Sequence, residues 1–236
     1  MDLKKEGKYK YNPWPLGKIP EEFQRSELKQ LKELGYKFND PREVVDIWER
    51  KVAAFAGSKY AVSTDCCSHA IFLCLKYINK PRTIDIPKNT YISIPMQIVH
   101  AGYSVYYNNI EWEGIYNLYP LNIYDAAVRW TENMYIPNSL MCLSFQIKKR
   151  IPIGRGGMIL TDDENAYRML KLMSYDGRDL TTPYDNKDHV QTIGYHYYQT
   201  PEDCARGIIL MDNTPLINDD SACWKNYPDV SKFNLK

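Results

Sequence analysis

No apolar run in this 236-residue sequence approaches the roughly 20 residues that a bilayer-spanning helix needs. Lysines near the start, in MDLKKEGKYKYN, have no apolar stretch behind them, so that segment does not read as a secretory signal. Charge of one sign is missing too. A net charge of +1 supplies no field for nucleic acid or an anionic membrane. Zinc spacing is lacking: Cys66 and Cys67 are adjacent, and no CxxC or HxxxH stands with them. Six cysteines in a chain this long do not resemble a disulfide framework, and Cys74, Cys142 and Cys204 fall in segments that read as core. Buried thiols point to a reducing, cytoplasmic setting. Internal repeats and low-complexity tracts are also missing.

A hydrophobic fraction of 44% is enough for one globular domain with a sizeable core. Residues 1–18 are polar and aromatic with prolines and read as an arm. Residues 21–34 read as a charged helix. Asp40-Pro41-Arg42-Glu43 then marks a strong helix start, Val45, Trp48, Val52 and Phe55 recur at helical spacing, and Gly57 ends the helix.

From there short strands alternate with helices. Strands are expected at 60–64, 83–86, 103–107, 121–125, 140–145 and 158–161, and helices at 69–78, 93–102, 164–173 and from the Thr200 cap to about Asp212. The expected fold is α/β, with a mostly parallel central sheet flanked by helices. Residues 19–214 would form its main domain and 215–236 a polar tail. Ligands on such sheets sit at the carboxyl ends of strands. Twenty tyrosines could supply a stacking surface for bases, or simply core and rim packing.

The segment Ser144–Thr161, SFQIKKRIPIGRGGMILT, carries the most information. A buried strand runs into a lysine loop, a glycine turn and a second strand. Lys148-Lys149-Arg150 alone reads as a solvated basic loop; the Ser-Phe strand before it and the glycine turn after it reverse that. Asp125 ends a strand in Asp-Ala-Ala, where it could cap a helix or offer a carboxylate to a site. Asp65-Cys66-Cys67-Ser68-His69 opens onto an apolar helix whose backbone N–H groups would attract phosphate, although an ordinary turn capped by Ser68 fits as well. Tyr91, in PKNTYIS, is either a core tyrosine or a ring that stacks on a ligand. His196, in Gly194-Tyr195-His196-Tyr197, is either a donor toward a ligand or a surface histidine. Arg155-Gly156-Gly157 also matches the RGG triplet of RNA-binding tails, but those are repetitive, whereas this triplet is single and bounded by strands.

Taken in order, these motifs resemble the DegT/DnrJ/EryC1/StrS aminotransferases, which use pyridoxal 5'-phosphate (PLP). The resemblance runs from about Ile19 to Asp212. It implies the type I PLP-dependent transferase fold, with the smaller closing domain absent or minimal. Lys149, five residues after Ser144, takes the Schiff-base lysine's register, and Lys148 is one residue out. Asp125 takes the role of the carboxylate at the pyridine nitrogen. Cys67, Ser68 and Ser144 fall on the phosphate side, Tyr91 on the ring-stacking position, and His196 where the family's asparagine reaches a phosphate across a dimer interface.

Four departures stand out. Arg155 replaces an acid, Val128 a glutamine, Cys67 a glycine and His196 the asparagine. The implied function is transfer of an amino group, from an amino acid such as glutamate, to a keto-sugar or other small carbonyl compound. The sugar would be nucleotide-linked and the protein a homodimer with shared sites, with no nucleic-acid or membrane partner. A non-catalytic or partner-dependent descendant that binds PLP or a protein partner is the alternative.

Overall fold

The computed structural model describes residues 25–80, 82–183 and 185–233; the expected arm at 1–18 lies outside them. The first elements are α1 (Glu27–Glu33), α2 (Arg42–Ala56), β1 (Tyr60–Thr64), α3 (Cys67–Ile78), β2 (Thr83–Pro87), α4 (Ser93–His100) and β3 (Ser104–Asn108). They are followed by β4 (Tyr116–Asn117), β5 (Ile123–Asp125), β6 (Leu140–Ser144), β7 (Gly157–Thr161), α5 (Glu164–Ser174) and α6 (Pro201–Asp212).

Local chemistry explains the helix ends. The Asp40 carboxylate accepts the Arg42 N–H, and Glu43 reaches back to the Asp40 N–H. Gly57, at φ 84°, closes α2 in the left-handed region that glycine tolerates best. Asp163 and Thr200 cap α5 and α6 through their side chains.

The main sheet has the order β1-β7-β6-β5-β4. β1, β6 and β5 run in one direction. β7, inserted between β1 and β6, runs against both, and β4 runs against β5. The parallel direction expected for the sheet thus holds for β1, β5 and β6, while β7 and β4 make it mixed. β2 and β3 pair in parallel as a separate ladder, tied to the rest through the Asp85–Tyr119 bridge.

Side chains alternate across each strand and so divide the core in two. Val62, Cys142 and Ile159 face the layer of α3, α4 and α5. Ala61, Met141, Leu143, Met158 and Leu160 face α1, α2 and α6. Helices on both faces of one sheet make a three-layer α/β/α domain. Cys74, Cys142 and Cys204 are fully buried, and the six cysteines are free thiols.

Several boundaries differ from expectation. α3 begins at Cys67 rather than His69, because the chain turns into helix directly after the extended Cys66. β5 begins only at Ile123, since Leu121 is held in a turn by its N–H to the Leu118 carbonyl. β4 was not foreseen: two residues carry no readable period. Residues 215–233 fall in the expected polar tail. They contain two short 3-10 turns, and Val230 is fully buried.

Candidate active site at the strand ends

Three expected residues, Asp125, Cys67 and Lys149, act on one another electrostatically near the ends of β5 and β6. Asp125, the last residue of β5, is 5% exposed. Its carboxylate accepts the Tyr116 O–H at 2.7 Å and the Ala127 N–H at 2.9 Å. Tyr116 comes from β4 and also shares a hydrogen bond with the Thr90 hydroxyl at 2.5 Å. Burial pushes the Asp125 carboxyl above the usual carboxylate range. The Tyr116 and Ala127 hydrogen bonds and the Lys149 ammonium pull it back. Burial also raises the Cys67 thiol well above its ordinary value, with Asp125 adding to the shift and Lys149 opposing it. The Lys149 charge therefore reaches both groups.

The two lysines of the loop differ in burial. Lys149 is half-buried, whereas Lys148 and Arg150 on either side are exposed. A turn fixes this arrangement: the Lys149 N–H donates to the Gln146 carbonyl, and the Gln146 side chain accepts the Lys148 N–H. Arg150 is directed to the Asp219 carbonyl at 3.0 Å.

The next group gathers at the start of α3. Cys66 occupies the cap position, extended, and its side chain makes no capping bond. The first-turn N–H groups therefore lack the side-chain acceptor that usually satisfies them. Ser68 does not cap the helix. It lies within the first turn, and its hydroxyl meets that of Ser93, at the start of α4, at 2.6 Å. Ser144 ends β6 opposite Gly157. A Cβ on Gly157 would come within 2.4 Å of the Cys66 carbonyl carbon and the Cys67 nitrogen. The glycine thus lets β7 press against the α3 start and brings Ser144 alongside it.

One departure from the family pattern, Arg155, finds its partner in the loop after β1. Arg155 donates to Asp65 at 2.7 Å, and His69 meets the other Asp65 oxygen at 2.6 Å. The glycine turn is thereby clasped to the loop after β1. Burial alone would lower the His69 pKa, but its hydrogen bonds to Asp65 and Cys66 raise it to about 9. Its ring also stacks on Tyr197 at 3.7 Å. Asp65, Cys66 and His69 offer ligand atoms within 4.8 Å of one another, as a metal site would. The Arg155 guanidinium and a protonated His69 make that corner unfavourable for a cation.

Tyr91 precedes α4 and is 58% exposed, so it is not a core tyrosine. His196 is not brought to the cluster. Its ring pairs with Asp176 at 3.0 Å, while Tyr195 and Tyr197 on either side pack on Phe72. Val128 is buried, and its carbonyl accepts the Ser221 N–H and hydroxyl. Sequence reading missed Tyr116, Thr90 and Ser93. Thr90 and Ser93 flank Tyr91 within the very motif PKNTYIS that drew attention to it. A cavity of about 1020 Å³ lies elsewhere, between α2, α5 and Gln199, and none of the seven candidate residues lines it.

A buried carboxylate, an amine within its field and an uncapped helix start flanked by serine hydroxyls fit a flat cationic ring that carries a phosphate. Solved structures share the fold. AtS13 from Actinomadura melliaura matches with TM-score 0.66 at 16% identity, over 79% of this chain and 64% of that one. Helicobacter pylori PseC, an aminotransferase involved in the biosynthesis of pseudoaminic acid, matches with TM-score 0.62 at 14% identity, over 80% and 63%. The spore coat polysaccharide biosynthesis protein SpsC of Bacillus subtilis (strain 168) is 24% identical, over 64% of this chain. The chain spans about half (50%) of the length of SpsC. The profile of the DegT/DnrJ/EryC1/StrS aminotransferase family matches residues 21–132 and 137–219, most of the sequence, and the chain belongs to that family.

Proposed function

We propose that this chain forms the cofactor-binding part of a PLP-dependent aminotransferase. It would transfer an amino group from an amino acid, glutamate being the family's usual donor, to a keto-sugar in nucleotide-linked form. The observation that carries the reading is that Lys149 is the half-buried member of Lys148-Lys149-Arg150 and that its charge acts on the buried Asp125 and Cys67. The names of SpsC and PseC, which concern polysaccharide and pseudoaminic acid biosynthesis, support a sugar substrate.

When bound, PLP supplies an electron sink beside the substrate carbon. Asp125 would hold the ring nitrogen in its protonated form, with Tyr116 and the Ala127 N–H fixing the carboxylate. The α3 amides, Ser68 and Ser144 would hold the phosphate, and Tyr91 would cover the ring. Lys149 would bind the cofactor covalently through Nζ, and the same Nζ would hold and return the proton removed from the substrate carbon. Two copies of the chain would share their sites.

The test is the visible spectrum of the purified chain with PLP, before and after borohydride. It is run beside Lys149→Ala, with Lys148→Ala as the control. A cofactor band that borohydride changes, lost only in Lys149→Ala, is expected; its absence from the wild type sinks the reading. A second reading, cofactor binding without turnover by this chain alone, is favoured by His196, which replaces the family's asparagine and pairs its ring with Asp176 of the same chain. Amino transfer to a keto acid by the purified chain would rule that out.

A further inference from the structure

We propose that Tyr227 is a cofactor-contacting residue, carried to the Asp125 end of the site by a strap formed by residues 221–233. The inference rests on the PLP reading above and adds a residue outside the motifs that support it.

The strap is anchored along the rim of the site. It begins where Ser221 donates to the Val128 carbonyl, three residues beyond Asp125. The Arg129–Asp220 ion pair, at 2.6 Å, fixes the approach. Gly114 donates to the Ala222 carbonyl, and the Trp224 N–H donates to the Trp112 carbonyl. The strap then crosses to the loop after β2. There the Asn89 side chain donates to the Tyr227 carbonyl at 3.0 Å, and the Val230 N–H donates to the Lys88 carbonyl at 2.8 Å. It therefore runs from the exit of β5 to the exit of β2, the two strands whose following residues include Ala127 and Tyr91.

Tyr227 is the outer member of a row of three rings. Its ring lies 5.4 Å from that of Trp112, and Trp112 lies 5.0 Å from Tyr116. Tyr116 in turn donates to Asp125. The phenol is half-buried, and its own environment reports the site: burial, then Asp125, Cys67 and Tyr91, push its pKa up to about 12. Separated from Tyr116 only by the Trp112 ring and held by the strap to the loop that carries Tyr91, the phenol stands at the end of the site where a flat aromatic ligand at Asp125 would meet it.

Linkage turns this contact into a measurement. If Tyr227 touches the bound ring, cofactor binding must stabilise the strap by the same free energy that the strap adds to binding. Amide hydrogen exchange is therefore read over 224–233 in the full chain, with and without saturating PLP. Binding is titrated in parallel for Tyr227→Ala, Tyr227→Phe and, as a control on an exposed strap position, Lys225→Ala. The expected result is slower exchange over 224–233 with PLP and binding weakened roughly 3- to 10-fold in Tyr227→Ala. Tyr227→Phe should keep most of the affinity, and Lys225→Ala all of it. Unchanged or faster strap exchange, while PLP is still held on Lys149, overturns the contact and leaves the aminotransferase reading standing. Failure of the wild-type chain to hold PLP overturns both.

Discussion

Neutralising Asp125 should make the cofactor-free chain more stable while removing its ability to hold a protonated ring. The carboxylate is 5% exposed and lies beside a half-buried lysine rather than in a close ion pair. In Asp125→Asn the amide oxygen can still accept the Ala127 N–H. The amide NH2 can donate to Tyr116, whose own proton can turn to the Thr90 hydroxyl. The variant therefore keeps the hydrogen bonds and sheds the desolvation cost of a buried charge. A gain of about 1 kcal/mol is expected, or about 2–4 °C in Tm for a chain of this size.

The pH dependence follows from the raised carboxyl. The unfolded chain releases this proton at lower pH than the native chain does. The penalty is therefore fully present above the native pKa and disappears below the unfolded value of about 4. The advantage of Asp125→Asn should shrink as pH falls toward that value. Differential scanning fluorimetry from pH 4.5 to 8, with and without PLP, checks all of this. Added PLP should raise the wild-type Tm and raise that of the variant far less. A variant that melts several degrees below wild type would refute the reasoning, because Asp125 would then be a structural hub.

Other expectations follow from single contacts. Gly157→Ala drives a Cβ to 2.4 Å from the backbone of Cys66 and Cys67, so urea unfolding should show a loss of about 1–3 kcal/mol, and PLP binding should weaken. His69, raised to about 9, contributes stability that is fully present below its unfolded pKa near 6.5 and lost as pH rises through 9; Tm profiles should show that decline in wild type and not in His69→Gln. Lys171→Met leaves the Glu49 carboxylate, 4% exposed and paired at 2.7 Å, without its cation, and should cost about 3 kcal/mol by chemical denaturation.

The sequence was legible where local chemistry decides the outcome. α2 follows its Asp-Pro-Arg-Glu start and glycine stop, and the strands at 60–64 and 140–144 follow their apolar runs. The count from Ser144 singles out Lys149, and the turn at Gln146 is what leaves Lys149 half-buried and Lys148 exposed. What was not legible depends on partners far apart in the chain. Tyr116 sits on a two-residue strand defined only by its pairing with β5. Arg155 reads as a departure until Asp65 is found opposite it. Tyr227 lies in a polar segment with no period, held by the Asn89 amide and the Trp112 ring, both more than a hundred residues earlier. His196 sits in a recognisable motif, yet its partner within the chain is Asp176, twenty residues earlier.

The most direct test of the account is the position of the covalent bond to the cofactor. The chain is incubated with PLP, reduced with borohydride, digested, and its peptides are sequenced by mass spectrometry. The account predicts a pyridoxyl group on Lys149 and unmodified Lys148. A label on Lys148, a label spread over surface lysines, or no label at all would contradict it.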